Sequence, residues 1–169
     1  MTRQNNNYGR DQFNIENLHF NPAITGQKLF ANGLQFLNQR DYKQASVAMS
    51  EAINVDPSMY DAYYYFAIAL LSGNRPKKID EWTIRDIEEK LSIAINRDSE
   101  NLKCYTLWAI VKYGFYTMNR FIEKPPTSDQ LFKKGESIQY EHAREILYHL
   151  NDPLNPYWVH LYNKFGQLN

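Results

Sequence analysis

Cysteine is nearly absent from this chain. Cys104 stands alone among 169 residues, so no disulfide can close within it, and a reducing, cytoplasmic setting is expected. Neither charge is in excess, because 19 Lys and Arg balance 19 Asp and Glu. A protein held to nucleic acid by charge alone carries a basic stripe, which disfavours that class of partner. Long apolar runs are missing too. The longest, YYYFAIALL at residues 63–71, falls well short of the ~18 residues of a membrane span. It reads as a buried helix, and no membrane partner is expected. The opening MTRQNNNYGRDQ has no apolar stretch of the kind that marks a secretory leader. A Gly-rich phosphate loop, CxxC, HExxH and a nucleophile elbow are all lacking.

What the chain has instead is aromatic bulk, at 15% of residues with 13 Tyr, so large rings must fill much of its interior. Residues 1–25 are Asn-rich without a helical stripe, and are expected to form an extended or disordered arm. Within it Phe13 and Ile15 alternate with polar neighbours, as in one short strand.

From residue 26 the apolar spacing turns helical. Leu29, Phe30, Leu34 and Leu37 form one stripe, and Ala45, Ala48, Met49, Ala52 and Ile53 the next, stopped by Asp56-Pro57. A third helix carries Tyr63 to Leu71. A fourth begins at Asp80 or Thr83 and carries Ile84, Ile87, Leu91 and Ile95. A long fifth helix is predicted from about Glu100 to Ile122, closed by Pro125-Pro126. Thr127 and Gln130 form a candidate capping box for a sixth, running to Leu150 with Gly135 as its weak point. Asn155 and Pro156 open a last helix, and Gly166 ends it. Seven or so helices joined by short turns suit an all-α stack of helix pairs or an antiparallel bundle.

One phrase recurs. AINVDP at residues 52–57 returns as AINRDS at residues 94–99. The segment from Gly26 to Pro57 resembles a tetratricopeptide repeat, a helical pair about 34 residues long. Leu29, Gly33, Phe36, Ala45, Ala52 and Pro57 fall at the family's fourth, eighth, eleventh, twentieth, twenty-seventh and thirty-second places. Gly33 and Ala45 are small enough for two helices to approach closely. A second copy starts at Tyr60, with Tyr63, Phe66, Ala67 and Leu70 in register, and its closing phrase is delayed by extra residues around Asn74 to Glu81. A third, looser copy starts near Leu102 and carries Tyr105, Trp108 and Ala109.

The resemblance, which covers residues 26–150, implies an α-solenoid with a C-terminal capping helix, the whole domain spanning residues 26–169. It also implies a non-enzymatic adaptor or scaffold that binds another protein in a concave groove, as a subunit of a larger complex. The groove positions carried over are Phe30, Leu34 and Leu37 from the first copy, Tyr64, Ile68 and Leu71 from the second, and Lys103, Ile110 and Tyr113 from the third. Such a surface suits an apolar or aromatic peptide or helix. The family's carboxylate-clamping subgroup has Lys and Asn where this chain has Phe30 and Leu34, which argues against that ligand. The same positions would be unavailable if the arm or the last helix covered them.

Two alternatives stand beside this reading. The chain could self-assemble into a homo-oligomer through its arm or its aromatic last helix. It could also be a metal-dependent enzyme using Glu145 and His149, which are one helical turn apart. A metal would need a further ligand there, and a solvated face is the simpler account of Glu141, His142, Glu145 and His149. No cofactor or metal is therefore expected, and Cys104 is expected to be a buried, inert thiol.

Overall fold

The computed structural model describes residues 22–166. It is all-helical over that range, with eight α-helices in chain order. They are α1 (Pro22–Asn38), α2 (Tyr42–Val55), α3 (Tyr60–Leu71), α4 (Glu81–Arg97), α5 (Leu102–Lys112), α6 (Ser128–Gly135), α7 (Tyr140–His149) and α8 (Pro156–Phe165). A 3₁₀ turn, Pro76–Lys78, lies between α3 and α4, and a π turn, Tyr113–Thr117, extends α5. The strand expected around Phe13 and Ile15 lies outside the described residues. The helix starts at Pro22 rather than Gly26, where a proline costs no hydrogen bond in the first turn.

Local chemistry sets most helix starts. Asp41 caps α2 by accepting from Gln44 N. Asp80, not Thr83, caps α4, and the Thr83 hydroxyl donates to it as well. The Thr127–Gln130 capping box closes reciprocally at the start of α6. Asn155 caps α8, with Pro156 in its first turn.

Each helix packs against the next through α6, and α1 and α2 form the closest pair. Ala45 and Ala52 of α2 are fully buried, and Gly33 of α1 faces the Met49 side chain, which would lie 2.6 Å from a Cβ added there. Residues 26–57 are thus a tight hairpin, as the small-residue spacing requires.

Two predicted helices are shorter than expected. The fifth does not continue to Ile122. After Lys112 the backbone widens into the π turn, where Gly114 lies against the Pro76 ring, 3.0 Å from where a Cβ would be. Arg120 then takes a left-handed conformation (φ 63°), and Phe121 N donates back to the Tyr116 carbonyl. That turn closes the helix before Pro125-Pro126 is reached. The sixth is divided at Gly135 into α6 and α7.

The α7–α8 hairpin packs on α5 and returns to the first hairpin. The Tyr148 hydroxyl donates to the Asn38 carbonyl, Arg40 donates to the Tyr148 carbonyl, and the Tyr42 hydroxyl meets His149 Nδ1 at 3.3 Å. Asn155 also donates to the Ile110 carbonyl of α5 at 2.9 Å, fully buried. In α8, Trp158 and Leu161 are buried while Tyr162 is exposed. No helix among the described residues is long and apolar enough to cross a membrane.

Candidate functional site

Six of the nine groove positions, Leu37, Tyr64, Ile68, Leu71, Lys103 and Ile110, are buried in the chain's own core. Phe30, Leu34 and Tyr113 are half-buried. Phe30 rests on Tyr65, and Tyr113 on Tyr157 of α8. Lys103 spans the rings of Tyr64 and Tyr65 and donates to Asp61 at 2.9 Å. The face that would form an open groove is therefore covered by the C-terminal hairpin. Sequence spacing identifies which residues share that face. It does not show that a segment about 80 residues further on folds over it.

The seam under α7 is not apolar throughout. Burial, then the neighbouring Glu145 carboxylate, pushes the Tyr64 hydroxyl pKa well up. Tyr64 Oη and Glu145 Oε2 are nevertheless buried without a well-formed hydrogen bond. Glu145 thus faces α3 while His149 faces Tyr42, so the pair weighed as an enzyme site points to different neighbours. Among the described residues no three His, Cys, Asp or Glu side chains are grouped to hold a metal. Cys104 is buried, and its thiol is pushed up to about 12, mainly by desolvation.

His149 is buried beside Arg40 and Tyr42, and its pKa is lowered from 6.5 to about 4, by burial first and by the Arg40 charge second. The native ring stays neutral where the unfolded one takes up a proton. Its contribution to stability is complete above pH 6.5 and is lost as pH falls toward 4. Urea titrations are expected to show about 2 kcal/mol of such loss, a discounted value because the ring borders a solvent-filled cleft, and His149→Gln should remove that portion.

One surface left open lies along α4. Two adjoining clefts of about 740 and 910 Å³ share Ser92, Trp108 and Pro126 and form one trough. One wall is α4, from Glu81 to Asn96. The floor is the face of α5 carrying Tyr105, Trp108 and Lys112, continued by Phe115 and Tyr116. The other wall is the Phe121–Pro126 loop and α6. Large apolar groups of the lining stand open at the Glu81 end: Ile122 is 89% exposed and Phe121 55%.

The floor is held by one carboxylate. Glu88 accepts from Trp108 Nε1 at 2.9 Å and from the Tyr116 hydroxyl at 2.8 Å. Its ion pair with Lys112 Nζ spans 3.4 Å, and that ammonium is buried and also donates to the Lys124 carbonyl. Desolvation and the Glu88 bond both push the Tyr116 pKa up. Two rings and a lysine stem are thus fixed in place, leaving their apolar faces to the trough.

Sequence reasoning missed Glu88, Phe121 and Ile122 as site residues. Phe121 and Ile122 did carry a signal, since an apolar pair just before Pro125-Pro126 fits no helical stripe. Glu88 carried none, because its partners are 20 and 28 residues away and its helix is rich in surface charge. No family model, no curated protein and no solved structure matches this chain.

Proposed function

We propose that the chain is a non-enzymatic adaptor that seats an apolar, aromatic-bearing segment of a partner protein in the α4–α5–α6 trough, as one subunit of a larger assembly. The observation that carries this reading is the trough itself: fixed aromatic floor, open Phe121 and Ile122 at one end. Exposed apolar groups gathered at a cleft suit protein association. Charge is uneven along the trough. At one end Arg85 and Lys124 offset Glu81 and Glu89, while Lys133 and Lys134 border the other with no carboxylate in its lining, so a segment with an acidic residue at that second end fits best. The tetratricopeptide-like spacing of the first two helix pairs supports an interaction module. The inner face of those pairs is the weaker candidate, because α7 and α8 already cover it.

The test is purification from the native cell with a lysine crosslinker. Lys124 and Lys133 flank the trough, and a partner seated there should be linked to them. The double variant Phe121→Glu, Ile122→Glu should lower recovery of that partner by about tenfold or more, as expected when a desolvated anchor is lost, with helicity unchanged. Full recovery by the variant, or crosslinks confined to other faces, would overturn the trough. A self-associating chain would instead crosslink to its own copies.

A further inference from the structure

A third cleft, of about 850 Å³, opens where the α1–α2 turn, the end of α3 and the α7–α8 hairpin meet. Its size falls in the range of small-molecule sites. Two guanidinium groups line it, and among the described residues neither is paired with a carboxylate. Arg40 sits 4.4 Å over the Tyr148 ring and, among the described residues, donates only to the Tyr148 carbonyl. Arg144, one turn before Tyr148 on α7, donates among the described residues only to the carbonyls of Phe165 and Gly166, at 3.5 and 3.3 Å. Among the described residues no ion pair reaches either group.

The third polar group is His149. It is more than nine-tenths buried, lines the cleft, and has one hydrogen-bond neighbour, Tyr42, at Nδ1. Among the described residues its Nε2 meets no hydrogen-bond partner. Aromatic rings line the same cleft: Tyr42, edge-on to His149 at 5.8 Å, and Trp158 and Tyr162, stacked on each other at 5.1 Å. A positive field, free guanidinium N–H donors and aromatic walls suit one chemical class.

We propose that this cleft binds a small aromatic carboxylate, its anionic group taken by Arg40 and Arg144 and its ring laid against Tyr148 and Tyr162. The guanidinium forks supply hydrogen bonds as well as charge. The site is independent of the α4–α5–α6 trough, so failure at either leaves the other standing. It also gives a purpose to cations that the fold holds beside the hairpin without neutralising them.

The experiment uses the full chain with three probes: indole-3-acetate, indole-3-acetamide and inorganic phosphate, followed by calorimetry and by the His149 ring resonance. The acid is expected to bind saturably and to move that resonance. The neutral amide should bind about tenfold more weakly, the loss typical of a charge-assisted contact. Arg144→Gln and Arg40→Gln should each weaken the acid by a similar factor. Arg144→Gln breaks only two long main-chain contacts, so it should leave the thermal midpoint in place and keep the test sound if Arg40→Gln disturbs the hairpin. Equal binding of acid and amide would show an apolar cleft only. Phosphate binding as tightly as the acid would show a plain anion site. Either result, or no saturable binding of the acid, overturns the proposal.

Discussion

Gly135→Ala should destabilise the fold by about 3 kcal/mol, although the same change in an isolated helix is favourable by up to about 1 kcal/mol. A Cβ at Gly135 would lie 2.3 Å from Thr106 Oγ1, 2.8 Å from Thr106 N and 3.1 Å from the Leu102 carbonyl oxygen. Two of those atoms are main chain and cannot rotate aside. The Thr106 hydroxyl is itself bound between the carbonyls of Leu102 and Gly135. Relief therefore requires α6 to move off α5, along a buried contact. Gly33→Ala is the control. Its close neighbours are the Cε and Sδ of Met49, 2.6 and 3.0 Å from the added carbon, and a thioether chain can change rotamer. Its cost should be about 1 kcal/mol. Urea unfolding of both variants decides the matter. A Gly135→Ala midpoint at or above wild type would mean the two helices are not packed this closely.

Glu88→Ala should cost a comparable amount, about 3 kcal/mol, and should loosen the trough floor. The loss is not that of a surface ion pair. It strands the buried Lys112 ammonium with one carbonyl acceptor and leaves Trp108 Nε1 and the Tyr116 hydroxyl without theirs. Glu88→Gln keeps the shape and an acceptor oxygen, so its cost should be roughly half as large. Adding Lys112→Met to Glu88→Ala should recover part of the stability, because it removes the uncompensated charge. Additive losses in the double variant would show that Glu88 and Lys112 do not act as a pair. Partner recovery should fall with Glu88→Ala even at temperatures where the chain stays folded, since the floor rings lose their fixed orientation.

Signals that act within one helical turn were readable in the sequence. Thr127 and Gln130, Asn155 and Pro156, and Asp56-Pro57 all set helix ends where expected. So did the small residues of the first hairpin, because its helices are joined by a three-residue turn and approach closely where Gly33 faces Met49. The end of α5 was not readable. It depends on Gly114 meeting Pro76, 38 residues earlier, and on a left-handed Arg120 that no local preference demands. Among the site residues, the sequence pointed to a shared apolar face on α1, α3 and α5. It did not show that face to be occupied.

The sequence by itself determined the helical class, the phase of each apolar stripe and the tight first pair, since periodicity, caps and residue size act over a few residues. Only the tertiary structure decided which face stays open. The return of α7 and α8 rests on Tyr148 meeting Asn38 and on Asn155 meeting Ile110, 110 and 45 residues apart. Such pairings leave no periodic trace, because each is one hydrogen bond between otherwise ordinary helix ends. They bury the expected groove and leave the α4–α5–α6 trough and the Arg40–Arg144 cleft in contact with solvent.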